Sequence, residues 1–351
     1  MKKIIKNQMH WCKNYYNYNA VMSAWNKRHK VVAKEIGGLS ISSKVALHQK
    51  KWQVFNKRFS NDTLNTCYSI SGIDNINYVP EEIFEGVIEP KLNADAPSFL
   101  QHKSFYNRFF PKAGFIEDHF HKIGGLYFDN QHLRVNDENI NSMIENLSYP
   151  IVVKKSIDTA GGRDVHFVNN KEQLIPVLDM YDDLVVQAIL KPHTYFKKFH
   201  DFGLNTIRAC LYRSVITGEV HLLNTTLRIG RDGNLDNETQ GGLVCNLQQD
   251  GALNPFVVDK HGNKLLEHPN SKIVFAECEK IPAFNKLKKT AINITESIPY
   301  AKIVSLDLAM NEAGEWKLIE VNLEYQTIRF AQYAGHPFFG EYTDEVIKYC
   351  S

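Results

Sequence analysis

Residues 302–323 constrain the fold more than any other part of the chain. Lys302-Ile303-Val304-Ser305-Leu306-Asp307-Leu308-Ala309-Met310 and Trp316-Lys317-Leu318-Ile319-Glu320-Val321-Asn322 are two β-forming runs. Asn311-Glu312-Ala313-Gly314-Glu315 joins them as a glycine-bearing turn, so the segment reads as a hairpin. With the turn centred between Ala313 and Gly314, Asp307 falls directly opposite Glu320. Side chains alternate between faces, so Asp307, Glu320 and Asn322 share one face. Val304, Leu306, Leu308, Ile319, Val321 and Leu323 share the other, which is a core face. Opposed carboxylates have Cβ atoms about 5 Å apart and repel. A hard dication with oxygen ligands near ~2.1 Å relieves that repulsion, which makes Asp307, Glu320 and Asn322 a candidate Mg²⁺ site. The competing reading is a solvated face whose carboxylates pair with lysines. A one-residue slip in register would separate the three residues.

The same reasoning applied to Thr206–Ile229 places a turn at Thr217-Gly218, with Arg208 opposite Arg228. Two facing guanidiniums call for an anion, and a phosphate or carboxylate fits such forks. Ile151 to Lys155 and Val165 to Val168 read as strands around the loop Ser156 to Asp164. Its Gly161-Gly162 pair could close over phosphates through backbone N–H groups, with Lys154 or Lys155 supplying charge. Metal site, anion clamp and glycine loop together form a set suited to phosphoryl transfer from a nucleotide. The chain has no Gly-x-x-x-x-Gly-Lys-Ser/Thr run and no protein-kinase motif set.

These residues resemble the ATP-grasp superfamily, and more narrowly the sugar-transfer-associated ATP-grasp proteins of capsule and surface-polysaccharide loci. The resemblance runs from about Phe99 to Phe338. Phe99-Leu100-Gln101-His102-Lys103 resembles the first nucleotide-side lysine segment, which implies Lys103 near the phosphates. Tyr149-Pro150-Ile151-Val152-Val153-Lys154 resembles the second, implying Lys154, with Gly161 and Gly162 in the lid loop. Leu184-Val185-Val186-Gln187 resembles the adenine hinge, where Gln187 stands at a position often held by Glu. Leu204-Asn205-Thr206-Ile207-Arg208, Leu227-Arg228-Ile229-Gly230, Asp236-Asn237 and Gly241-Gly242 resemble the narrower family's run, and add Asn205 and Asn237 to the nucleotide-side candidates. Ser305-Leu306-Asp307 and Ile319-Glu320-Val321-Asn322 resemble its metal strands, with Glu320 implied to bridge two Mg²⁺ ions. The implied fold is an α+β ATP-grasp one, with two α/β subdomains and antiparallel sheets clamping ATP.

An N-terminal basic helical segment lies outside that pattern. Thirteen Lys and Arg fall in residues 1–60 against the single acid Glu35, on a chain whose overall charge is only +2. Trp11, Tyr15, Tyr18, Met22 and Trp25 recur at helical spacing, Gly37-Gly38 is a stop, and a second helix starts with Ser42 or Ser43 as N-cap. This segment either packs on the body or meets an anionic membrane surface, a lipid-linked glycan or an acidic polymer. No nucleic-acid recognition motif accompanies it. The expected divisions are 1–62, 63–110, 111–187 and 188–351. Residues 80–110 read as loop and short helix, 171–181 as helix, 184–190, 206–216 and 220–230 as strands, and 341–349 as the last helix. Composition is globular, with 43% hydrophobic and 23% charged residues, which excludes a disordered chain. No apolar run is long enough to span a bilayer and no secretion signal is visible. Six cysteines without a Cys-x-x-Cys pair suit a reducing cytosol, so a cytoplasmic location, peripheral at most to the inner membrane face, is expected.

Two reactions fit these features. One is an ATP- and Mg²⁺-dependent carboxylate–amine ligase working through an acyl phosphate, with Arg208 and Arg228 on the acceptor. Its substrates would be a small molecule or glycan bearing a carboxylate, and an amine. The other is a sugar kinase, which needs a general base from Asp201, His200, His193 or Asp236. A non-catalytic nucleotide-binding scaffold is the third reading. His119 and His121 read as surface polar residues.

Overall fold

Two antiparallel sheets organise the body of the protein. The computed structural model describes residues 2–93, 98–111, 113–157, 164–234, 236–237 and 240–351, with backbone alone at 2–16, 98 and 137. The first sheet holds β1 (Asp118–Ile123), β2 (Leu126–Asp129), β3 (Ile151–Lys155), β4 (Val165–Val168) and β5 (Leu184–Ala188) in the order β2-β1-β5-β3-β4. Ile151, Val153, Leu184, Val186 and Phe120 bury one side of it. Helices Asp137–Glu145 and Lys171–Met180 supply Ile140, Ile144, Leu174 and Leu178 to the same core. Asn136 and Asn170 cap these helices, each side chain accepting from a backbone N–H three residues on. His121 on β1 is fully buried and stacks on His132 with ring centroids 4.5 Å apart, which corrects its reading as surface polar.

The second sheet holds β6 (Ile207–Arg213), β7 (Val220–Ile229), β8 (Leu243–Asn246), β9 (Val257–Val258), β10 (Lys264–Leu265), β11 (Ile303–Met310) and β12 (Trp316–Asn322). Their order is β10-β9-β8-β7-β6-β11-β12. Its core face takes Val304, Leu306, Leu308, Leu318 and Val321, covered by Leu287, Ala291 and Ile294 of helix Phe284–Glu296.

The β11–β12 hairpin pairs Asp307 with Glu320, but by a different route from a regular hairpin. Met310, Ala309 and Leu308 pair with Trp316, Lys317 and Leu318, so the turn is centred on Ala313. A bulge then leaves Ile319 without a direct partner and restores the Asp307–Glu320 register. Ile319 is thereby moved off the core face expected for it and lines the cleft described below.

The β6–β7 register differs from the sequence reading. Arg208 faces Thr226, with a shift between Cys210 and Leu211, and Arg228 pairs with Val244 on its other side. Arg208 and Arg228 are therefore diagonal neighbours rather than an opposed pair. They still share one face, because Thr226 and Arg228 are two residues apart on the strand.

The N-terminal helix α1 (Lys2–Glu35) lies against the body from Tyr18 onward. Tyr18, Trp25, His29 and Val32 are buried at helical spacing, while Lys27, Lys30 and Lys34 face outward. Gly86 permits the approach, since a Cβ there would come within 2.6 Å of the Tyr18 ring. Helix α2 (Val45–Trp52) buries Trp52 and is followed by buried Phe55. Its N-cap is Lys44 rather than a serine, and the Ser42 hydroxyl instead accepts from the Lys44 N–H at 3.0 Å. Helix α3 (Asp62–Ser71) and a helical run over 81–92 complete this layer. Tyr18, Trp52 and Phe55 share one apolar core with Phe84, Ile303, Phe338 and Val346, so it joins both ends of the chain.

Candidate functional site

A cavity of about 300 Å³ opens between the two sheets. From the first sheet come Val152 and Lys154 of β3, Val165 and Phe167 of β4 and Ala188 of β5. From the second come Arg228, Asp307, Ile319 and Glu320. Ile189, Leu190 and Pro192 form the connecting edge and Asp201, Leu204, Thr206, Asp236 and Asn237 the far rim. One end is thus apolar and the other densely charged.

At the charged end the carboxylates already have partners within the chain. Arg208 donates to both oxygens of Asp307 at 2.8 Å each, and Arg228 adds a third bond at 3.2 Å. Burial alone would raise the Asp307 carboxyl, but Arg208 and Arg228 overcome it and hold the group below the usual carboxylate range. The anion between the two arginines is therefore Asp307 in this structure. Asn322 donates from its amide nitrogen to the Ser305 carbonyl at 3.4 Å and also helps to hold the Asp307 carboxyl down. Glu320 is paired with the Lys103 ammonium at 2.7 Å. The pairing of carboxylates with a lysine, the competing reading from sequence, holds for Glu320.

Lys154 is buried under this cluster. Burial, reinforced by the neighbouring Lys103 charge, lowers its ammonium to about 8, against the opposing pull of Glu320 and Asp118. Asp118 is pushed up to about 6 by burial and accepts a hydrogen bond from the Gln187 amide at 2.7 Å. That contact fixes the part Gln187 plays: its side chain points to Asp118 and does not line the cavity, whereas the next three residues, Ala188 to Leu190, do.

A hydrogen-bonded knot holds the Lys103 segment against the end of β3. The Lys103 N–H donates to the Ser156 carbonyl at 3.0 Å and the Ser104 N–H to the Ser156 hydroxyl at 2.8 Å. The His102 ring lies 2.7 Å from the same hydroxyl and 3.7 Å from Asp183. The set resembles a nucleophilic triad, but Ser156 is fully buried, so its part is to join two lysine-bearing segments. Sequence reasoning missed this knot because its members are far apart in the chain.

Asn205 stands apart from the cavity. Its amide nitrogen donates to the carbonyls of Phe196 and His200, and its oxygen accepts from the Gly230 N–H. It therefore ties the 196–200 segment to the end of β7. Asn237 does line the cavity, and its carbonyl accepts from the N–H groups of Gln240 and Gly242. Asp236 accepts from both the N–H and the hydroxyl of Thr206 at 2.6 Å. Of the four base candidates, Asp201 and Asp236 line the cavity, whereas His193 caps helix Thr194–Lys197 and His200 packs beside Gly230. Gly161 and Gly162 lie outside the described residues.

Residues 175–343, which include β6 to β12 and the Asp307–Glu320 pair, match the family described as sugar-transfer associated ATP-grasp. No curated protein matches the chain. Among solved structures, N5-carboxyaminoimidazole synthetase from Staphylococcus aureus complexed with ADP is 11% identical, with a TM-score of 0.40 over 68% of this chain and 49% of that one. The biotin carboxylase domain of Hydrogenobacter thermophilus 2-oxoglutarate carboxylase is 13% identical, with a TM-score of 0.42 over 72% and 45%. Biotin carboxylase from Campylobacter jejuni is 13% identical, with a TM-score of 0.40 over 71% and 46%. The chain spans about half the length of these structures. Among the described residues no helix is long and apolar enough to cross a membrane.

Proposed function

From the match of residues 175–343 to the sugar-transfer associated ATP-grasp family, we propose that the protein is an ATP- and Mg²⁺-dependent carboxylate–amine ligase. It forms an amide on a sugar or uronic acid in capsule or surface-polysaccharide assembly. The observation that carries this reading is the Asp307–Glu320 pair, set in one cavity with Lys103 and Lys154.

The donor set of two carboxylates and the Asn322 amide consists only of oxygen, which fits a hard dication. Glu320 would be its main holder, with Asp307 and Asn322 beside it. When bound there, Mg²⁺ (two ions in our reading) neutralises charge on the transferring phosphoryl group. Lys103 must leave Glu320 for this, and it then becomes available to the nucleotide phosphates together with Lys154. Val152, Phe167, Ile189 and Leu190 give the base an apolar wall.

The acceptor carboxylate attacks the γ-phosphorus and ADP leaves, giving an acyl phosphate. The amine nitrogen then attacks the acyl carbon, the C–O bond to phosphate breaks, and the amine proton leaves with the phosphate. Holding the reactants in register supplies much of the rate. Arg208 and Arg228 also border a small hollow with Asn224, Thr226 and Thr327, a direction from which the acceptor could reach them. The outward-facing Lys27, Lys30, Lys34 and Lys50 suit a lipid-linked, anionic acceptor at a membrane surface. Flotation with anionic vesicles tests that part, and equal flotation after charge reversal of these four lysines would remove it.

The central reading is tested by incubating the protein with ATP, Mg²⁺, hydroxylamine and a panel of uronic and amino acids. Acid-dependent hydroxamate is the expected product. ADP matched by a phosphorylated sugar, without hydroxamate, would replace the ligase by a kinase using Asp201 or Asp236.

A further inference from the structure

We propose that His29, Glu81 and Glu82 form a second metal site, apart from the nucleotide cleft, that takes a borderline dication of the Zn²⁺ type. His29 lies on α1, and the two glutamates begin the helical run over 81–92 beneath it. All three are at most 1% exposed. One ligand atom from each lies within 4.8 Å of the others, and this is the one such group of His, Cys, Asp or Glu among the described residues.

The hydrogen bonding points to a missing ligand. The Thr63 hydroxyl donates to one oxygen of Glu81, and the Ser60 N–H donates to one oxygen of Glu82 at 2.8 Å. The other oxygen of each glutamate and both ring nitrogens of His29 are buried without a hydrogen-bond partner. His29 Nε2 stands 3.5 Å from Glu81, too far for a hydrogen bond of ordinary strength and close enough for both atoms to reach one ion. Buried polar atoms are normally satisfied, so these neighbouring orphans call for an occupant, which one of the two His29 ring nitrogens can face. The bonds from Thr63 and Ser60 are what a metal site requires of its surroundings, because they orient each carboxylate; on Glu81 the oxygen that accepts from Thr63 is also the one 3.5 Å from His29.

Around the cluster Asp62 contributes negative charge, and Arg28 and Arg329 contribute positive charge. An imidazole nitrogen among the donors favours Zn²⁺ over Mg²⁺. Such an ion would staple α1 to the body, since one ligand comes from the helix and two from the layer below it.

The test uses the full-length protein, freed of metal by dialysis against a chelator and titrated with Zn²⁺ in a background of excess Mg²⁺. The account expects one tight equivalent in the parent and in E320Q, with affinity reduced about tenfold or more in H29Q and in the isosteric E82Q. Thermal unfolding is the second readout, with Zn²⁺ raising the transition of the parent and not of E82Q. If H29Q does not fold, E82Q decides alone. No stoichiometric Zn²⁺ in the parent, or equal binding and equal thermal response in E82Q, overturns the site.

Discussion

Lys154 is the residue whose environment most directly ties folding to function. Its folded pKa of about 8 lies below the ordinary 10.5, so between these values the folded protein holds fewer protons there than the unfolded chain. Stability contributed by this group therefore rises with pH through that window. Nucleotide binding has the opposite sign, because a phosphate beside Lys154 favours the ammonium and binding must take up a proton. ADP affinity should fall as pH increases above about 8, and calorimetry in buffers of different ionisation enthalpy should detect the proton uptake; a flat profile to pH 9.5 would separate Lys154 from the phosphates. Asp307 makes a second residue-scale prediction. It is the buried partner of two arginines, so Asp307→Asn should cost about 3–5 kcal/mol in denaturant unfolding. Glu320→Gln exchanges a half-exposed group paired to one lysine and should change stability little. Its effect should fall on turnover, by about a hundredfold or more if several kcal/mol of charge stabilisation is lost.

At the scale of elements, the cleft depends on one irregular residue and two glycines. The Ile319 bulge sets Glu320 opposite Asp307 while Leu318 and Val321 stay in the core. The alternation of apolar residues along 302–323 made the hairpin and its carboxylate face legible in the sequence. The bulge was not legible, since Ile319 is as apolar as its neighbours and only the turn geometry reveals the extra residue. A regular hairpin centred between Ala313 and Gly314 also opposes Asp307 to Glu320, because the bulge offsets a turn centred half a residue away on Ala313. No such compensation rescued Arg208 and Arg228, where the shift near Cys210 makes them diagonal, and no sequence signal announces that the anion between them is Asp307. Gly230 and Gly242 are required by close approach rather than by turn conformation. A Cβ on Gly230 would lie 2.5 Å from the Asn234 carbonyl, and one on Gly242 2.8 Å from the Asp236 backbone. Gly230→Ala should displace the segment carrying Asp236 and Asn237, weakening ADP binding about tenfold or more while far-ultraviolet circular dichroism is retained. Unchanged affinity would mean that this rim does not touch nucleotide.

At the scale of the whole molecule, the basic segment belongs to the packed body as well as to its surface. Trp52 and Tyr18 sit in a core with Phe338 and Val346 from the other end of the chain, and Lys51 is paired with Asp344. Composition revealed the basic charge and helical spacing revealed the stripe, but neither could identify the surface that covers it, because that surface is assembled from α3 and the 81–92 run together with residues some 300 positions away. Removing residues 1–60 should therefore abolish cooperative unfolding, as buried aromatic side chains each contribute about 3–5 kcal/mol. A truncated chain with a sharp, parent-like transition would show the segment to be an appendage. The central claim is that the cavity between the two sheets takes Mg²⁺-nucleotide through Lys154 and Glu320, and calorimetric titration of ADP into the intact protein tests it most directly. The account predicts one equivalent of ADP bound, affinity strengthened by Mg²⁺ in the parent, that strengthening lost in Glu320→Gln, and binding lost in Lys154→Met with the fold intact. No ADP binding by the parent, or equal and equally Mg²⁺-dependent binding in all three proteins, would contradict it.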